Sequence, residues 1–232
     1  MANTLDPHEE EQLDKLKRFW GRFGSLITWV LVAVLAALAA WNGWNYWQRQ
    51  QAVEAAVLYQ ALDEAVAAND AERVRRVWAD IQQQVPGTAQ AQQAGLLAAR
   101  ALQQLDAPDE ARQALRFVSE NAEDPALVSA ARLRLAGLEL QAGQHEAALQ
   151  WLASGIAPEF AALAADRRGD VLLAQGQTDA ARQAYLEAWK ALDEALDYRR
   201  IVEAKLNALG LDPSAPAPDA APAAPAAPAA PQ

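Results

Sequence analysis

Leu135-Ala136 … Gln141-Ala142-Gly143-Gln144-His145-Glu146-Ala147-Ala148-Leu149 is echoed downstream by Arg168-Gly169 … Ala174-Gln175-Gly176-Gln177-Thr178-Asp179-Ala180-Ala181-Arg182. Gly143 to Gly176 and Ala148 to Ala181 are both 33 residues apart. A weaker copy is Ala98-Ala99 … Asp106-Ala107-Pro108-Asp109-Glu110-Ala111, and a fainter one runs from Tyr59 to about Val85. The spacing has a physical cause. A small residue (Ala99, Ala136, Gly169) lets two helices approach closely. A glycine (Gly143, Gly176) takes the left-handed backbone that ends the first helix. A second small residue (Ala148, Ala181) then admits the returning helix.

Working outward, residues 49–210 carry almost no strand signal: alanine and leucine dominate, β-branched residues are sparse and the apolar period is helical. Breaks fall at Asn69-Asp70, Pro86-Gly87, Asp106-Ala107-Pro108, Asp124-Pro125, Ala142-Gly143-Gln144, Ala157-Pro158, Gly176-Gln177 and near Leu192-Asp193. The pattern predicts a chain of short antiparallel helices. A period of about 34 residues with this turn chemistry resembles tetratricopeptide repeats, whose hairpins must stack to cover their apolar faces. Ala181, Tyr185, Ala188, Trp189 and Leu192 mark the core stripe of the last second helix. Leu196–Leu209, with Tyr198, Val202, Leu206 and Leu209 on one face, reads as a capping helix stopped by Gly210 and Pro213. Two positions depart from the usual repeat. Glu139 stands where a large aromatic is common and Arg168 replaces an apolar residue, so buried or half-buried charge is expected at both.

Upstream, Phe23 to Gln48 has no charged residue. Crossing a hydrocarbon layer of about 30 Å takes roughly 20 helical residues, and Phe23–Trp41 supplies 19. Trp20, Trp41, Trp44, Tyr46 and Trp47 flank the stretch, where amphipathic rings prefer the headgroup level. A cleaved signal peptide is the competing reading, with Ala37-Leu38-Ala39 as cleavage site. It is disfavoured because the preceding 22 residues are long and acidic for an n-region. Lys15, Lys17, Arg18 and Arg22 precede the span and Arg49 alone follows within 20 residues. The positive-inside rule then places the N-terminus in the cytoplasm. Asp6-Pro7-His8-Glu9 reads as a helix start in the tail, with a capping acid and proline at the first helical position. The fold class is therefore all-α: one N-terminal transmembrane helix, then a solenoid of tetratricopeptide-like hairpins. The expected divisions are a cytoplasmic tail at 1–22, a transmembrane helix at 23–47, a periplasmic repeat domain at 48–210 and a disordered Pro/Ala-rich tail at 211–232. That tail contains Pro213, Pro216, Pro218, Pro222, Pro225, Pro228 and Pro231, which favour an extended, solvated chain.

Composition removes most chemistry. The 232 residues include no cysteine and only His8 and His145, which excludes disulfides, thiolate metal sites and thiol catalysis. A net charge of −10 lacks the basic footprint of nucleic-acid binding. There is no phosphate loop, nucleophile elbow or metal-ligand spacing. His145 lies in a repeat turn, where packing is its expected role, and pairs such as Asp109-Glu110 and Asp166/Asp170 read as caps and solvated faces. No enzyme activity, cofactor or metal is expected.

A binding surface is expected instead. In stacked hairpins the first helices line the concave side. The glycine register places Leu96, Arg100 and Gln103 there, then Leu133, Gly137 and Leu140, then Asp166, Asp170 and Leu173. The four leucines suggest an apolar groove for an unfolded segment or a partner helix; the same leucines could instead pack against the next hairpin. A charge clamp for carboxylate termini is not expected, because the basic residues do not gather in these positions.

Lys15-Leu16-Lys17-Arg18-Phe19-Trp20, one apolar span and Gly43-Trp44-Asn45-Tyr46-Trp47 resemble the N-terminus of the ancillary SecYEG translocon subunit family of Gram-negative bacteria. Leu133-Arg134-Leu135-Ala136 with Ala147-Ala148-Leu149, and Ala165-Asp166-Arg167-Arg168-Gly169-Asp170 with Leu172-Leu173 … Gly176, resemble it too. The resemblance covers about residues 10–210. It implies a single-pass protein of the bacterial inner membrane whose periplasmic repeats associate with the SecYEG translocon and a membrane-anchored prolyl-isomerase-like chaperone and assist exported client proteins. The alternative is a structural envelope scaffold, like a cell-division coordinator, with no chaperone role.

Overall fold

The computed structural model describes residues 7–214, with side chains at Lys17 and from Phe19 onward. Asp6, the His8 side chain and the Pro/Ala tail from residue 215 lie outside the described residues. Among the described residues the chain is built of α-helices and one 3₁₀ turn, and has no strand. This is the expected all-α class. Two compact units are present, Met1–Ala56 and Val57–Gln232.

In the described residues the first unit is part of helix α1 (Pro7–Ala67), which opens at the expected proline. From Phe19 the helix contains an 18-residue window of mean hydropathy 2.3. Leu26, Trp29, Val30, Leu31, Leu35 and Leu38 point outward on all sides. A helix apolar all round belongs in a protein core or a bilayer, and this stretch is not enclosed by protein. It is long and apolar enough to cross a membrane.

The second unit starts with the last turns of α1 and continues through α2 (Ala71–Gln84), α3 (Ala89–Gln104), α4 (Pro108–Asn121), α5 (Pro125–Gln141) and α6 (His145–Ala153). A 3₁₀ turn (Pro158–Phe160) then leads to α7 (Ala161–Ala174), α8 (Thr178–Ala191) and α9 (Asp197–Ala208). The four hairpin turns share one local solution. A single residue takes the left-handed region in each: Asn69 (φ 52°), Asp106 (57°), Gly143 (73°) and Gly176 (76°). The next N–H bonds back five residues, from Asp70 to Ala65, Ala107 to Leu102, Gln144 to Glu139 and Gln177 to Leu172, at 2.8–3.0 Å. This is the Schellman closure, which satisfies carbonyls otherwise orphaned at a helix end. The first two returning helices start on side-chain or proline signals: Asp70 accepts from the N–H of Arg73, and Pro108 opens α4. Thr88 and Asp124 cap α3 and α5 in the same way.

Small residues set the packing distance. Ala99, Ala136 and Gly169 are buried as expected. At Gly169 the contact is tight: a Cβ there would stand 2.5 Å from the Tyr185 ring. The terminal core joins Ala162 and Ala165 of α7, Ala181, Tyr185 and Ala188 of α8, Leu192, and Val202 and Leu206 of α9. Trp189, Tyr198 and Leu209 pack partly buried against it, and the Arg199 guanidinium lies 4.1 Å from the Trp189 ring centroid. The expected core stripe and capping helix are both present. Gly210 (φ 78°) ends α9 with the same turn, Leu211 donating to Leu206 at 3.0 Å.

Candidate functional site

Because the hairpins stack in order, their first helices meet one another: α5 touches both α3 and α7. These three helices form one face of the second unit, and the residues anticipated as a groove divide there into three groups. Gln103, Leu133 and Gly137 line a cleft of about 210 Å³ with Arg134, Leu138, Gln141 and Arg167. A Cβ on Gly137 would have nothing within 4 Å, so the cleft is open at this point. Leu96 and Arg100 adjoin it on α3, and Arg134 Nη1 lies 3.5 Å from the Leu96 carbonyl oxygen. Gln103 Nε2 donates to Gln141 Oε1 at 3.4 Å, linking α3 to α5, and both glutamines also line a neighbouring cleft of about 320 Å³.

Two residues lie elsewhere. Leu140 packs half-buried against Ala136, Ala148 and Val171, inside the hairpin and its contact with α7. Leu173 is 39% exposed near the end of α7.

The two acids form the third group, and they are not groove-lining carboxylates. Asp166 is 1% exposed. It accepts from Tyr198 Oη at 2.6 Å and from Lys205 Nζ at 2.8 and 2.9 Å. Asp170 accepts from Tyr185 Oη at 2.8 Å and from Lys205 Nζ at 2.7 Å, with Arg167 at 3.5 Å. Burying a carboxylate is costly unless it is paired and hydrogen-bonded, and α9 supplies both partners of Asp166. Burial first, then the hydrogen bond to Asp170 and the negative charges beside it, push the Tyr185 phenol well above its ordinary range. Tyr198 is raised for the same reasons, with Asp166 as partner.

The unusual repeat charges are accommodated separately. Glu139 is 6% exposed and faces α4, where Arg112 and Arg116 lie at 3.5 and 3.8 Å. Half-buried Arg168 pairs with Glu187 of α8. His145 opens α6 half-buried. Among the described residues no three histidines, aspartates or glutamates are grouped to hold a metal ion.

Two basic residues outside the anticipated register also lie on this face. Arg134 and Arg167 share the cleft, and burial together with the charge of Arg100 hold the Arg134 guanidinium below its ordinary value. Arg100, Arg134 and Arg167 are 34 and 33 residues apart, which is the repeat period. Sequence reasoning passed over Arg134 and Arg167 because it followed their neighbours Leu133 and Asp166. The period itself was the available signal.

Comparison with known proteins agrees with this architecture. No solved structure matches the chain significantly. It is 28% identical over 210 residues to the "Ancillary SecYEG translocon subunit" of Neisseria gonorrhoeae (strain ATCC 700825 / FA 1090), covering 90% of this chain and 100% of that protein. The resemblance drawn from the sequence is thus borne out across both the apolar helix and the repeats. The tetratricopeptide repeat-like domain matches residues 17–211. With its Schellman-closed hairpins, three of them stacked through α3, α5 and α7, the chain belongs to the tetratricopeptide repeat-like domain family.

Proposed function

We propose that this chain is an inner-membrane-anchored interaction protein whose periplasmic repeats bind polypeptides and assist the SecYEG translocon with exported proteins. The carrying observation is the open cleft on the α3–α5–α7 face, in a chain that also has a helix able to span a bilayer. The name of the Neisseria relative supports the translocon as partner. A membrane-anchored prolyl-isomerase-like chaperone and exported client chains complete the reading. Four basic residues before the apolar span against one soon after it support a cytoplasmic N-terminus and a periplasmic C-terminal unit. A tether raises local concentration, so weak contacts suffice and no deep pocket is needed.

The test is a photo-cross-linking amino acid at Gly137, where a side chain has room. Adducts in living cells should contain translocon subunits or exported chains. Adducts containing neither would overturn the reading. Leu133→Glu should spare folding and weaken capture, because Leu133 lines the cleft. Leu140→Glu should destabilise the hairpin, because Leu140 packs in it.

A further inference from the structure

We infer that the outer face of α9 is a docking strip for the Pro/Ala segment that follows it: residues 215–222 lie along Ala208, Ala204 and Ile201 as an extended chain, with Asp219 at Arg200. The inference is independent of the polypeptide-binding reading of the α3–α5–α7 face.

The strip is an apolar surface left open at the end of the stack. From α2 onward, Leu173, Leu196 and Ile201 are the large apolar side chains left exposed among the described residues. Two of them mark the start of α9, Leu196 at 50% and Ile201 at 52%. Val202 and Leu206 turn into the terminal core. Ile201, Ala204 and Ala208, at i, i+3 and i+7, share the opposite face and are exposed. A helix that ends a stack of hairpins needs a polar outer face to stay soluble, and the middle of this one is apolar.

The chain supplies a cover of matching length and charge. Gly210 ends α9 in a left-handed turn. Asp212 Oδ1 then accepts from the N–H and the hydroxyl of Ser214 at 2.9 and 2.7 Å, which makes a second turn. The residues that follow set out from this end of the strip. Ala215-Pro216-Ala217-Pro218-Asp219-Ala220-Ala221-Pro222 is apolar but for Asp219, the one charged side chain after Asp212. Its prolines favour polyproline II, which rises about 3.1 Å per residue and makes no internal hydrogen bonds. Such a chain lays methyl and ring surface on a helix while its carbonyls stay in water. About six of its residues span the roughly 18 Å of α9. Arg200 is exposed on the flank of the strip and meets Asp197 at 3.6 Å, beyond hydrogen-bond distance. It stands about 12 Å back along the helix from Ala208. Asp219 stands about 15 Å along an extended chain from Ser214, and the two lengths agree to within about one residue. A tether of a few residues gives the segment an effective concentration on the order of millimolar, which a second copy of the chain lacks.

The chain has no cysteine, so spin labels attach only where a thiol is introduced. The experiment uses the full chain in nanodiscs, labelled through Asn207→Cys and Ala221→Cys, with the distance read by double electron–electron resonance. With the strip intact the labels should give one narrow distance at about 20 Å. Ile201→Glu or Arg200→Asp should widen the distribution about twofold or more, by removing the apolar contact or the ion pair. Arg200→Asp combined with Asp219→Arg should restore the narrow peak. A broad distribution with the strip intact overturns the inference, whether or not the variants fold. A narrow peak that Ile201→Glu leaves unchanged in a folded chain overturns it too. A peak lost on dilution with unlabelled chain comes from a second copy across the strip and overturns it as well.

Discussion

Lys205 and Arg134 are both cations set against a first helix, and their surroundings are opposite. Lys205, 28% exposed, is enclosed by Asp166 and Asp170 and lies 5.1 Å from the Tyr185 ring centroid. Arg134 reaches a carbonyl at 3.5 Å and lies near another arginine, and among the described residues it pairs with no acid. The first arrangement completes the end of the stack: α9 brings a lysine to acids that α7 would otherwise bury alone. The second leaves its charge unspent. Position against a first helix therefore does not tell a structural charge from an available one; the presence of a partner does.

The largest expected effect falls on the closed arrangement. Lys205→Met leaves Asp166 buried without a counter-ion and should cost about 3 kcal/mol. Denaturant unfolding of residues 48–214 made without the apolar stretch measures it, and adding Asp166→Asn should recover part of the loss. A Lys205→Met protein as stable as the parent would remove the distinction drawn here. Next comes the packing beneath the same network. Gly169→Leu drives a side chain into Tyr185 and should cost about 2 kcal/mol by overpacking; an unchanged melting temperature would place Gly169 away from the contact.

Alkaline pH probes the network more gently. Tyr185 and Tyr198 are raised above the ordinary 10.0, so the folded state holds their protons after the unfolded state has released them. Their contribution is fully present below pH 10 and is lost as pH rises through the folded values. At about pH 11 the loss should be about 1 kcal/mol per tyrosine. Tyr185→Phe should flatten that decline, as followed by unfolding midpoints across the pH series. A Tyr185→Phe protein with the same alkaline slope would refute the assignment. Smallest of all, Arg134→Gln should change stability by less than about 0.5 kcal/mol, and in the stabilising direction, because it relieves repulsion from Arg100. A marked destabilisation would show that Arg134 is structural after all.

How far the sequence revealed this follows from where the information lies. Gly143 and Gly176 announced their turns because glycine is the usual residue for a left-handed helix end. Asn69 and Asp106 make the same turn, but both are also common caps and loop residues, so the first two hairpins looked faint. Local signals carried the helix starts at Pro108 and Pro125 for the same reason. The Lys205–Asp166 pairing was not legible, since it joins a capping helix to a repeat across 39 positions and no periodicity links them. Tyr185 and Tyr198 were legible as apolar stripe residues; their hydroxyl partners were not. In the candidate site, Leu133 and Gly137 of the leucine register line the cleft. That register missed Arg134 and Arg167 because a helix face is wider than one row of side chains.

The repeated turn also bears on the order in which the molecule acquires its structure. Each hairpin is closed by a bond spanning five residues, and from α2 onward the helices pack on those next or next but one along the chain. No distant strand or terminus has to be found before an early segment can be satisfied. Such a topology closes short loops in succession and folds quickly for its size. A chain delivered from its N-terminal side can consolidate one hairpin at a time, each serving as the template for the next, with α9 and its lysine arriving last to close the end.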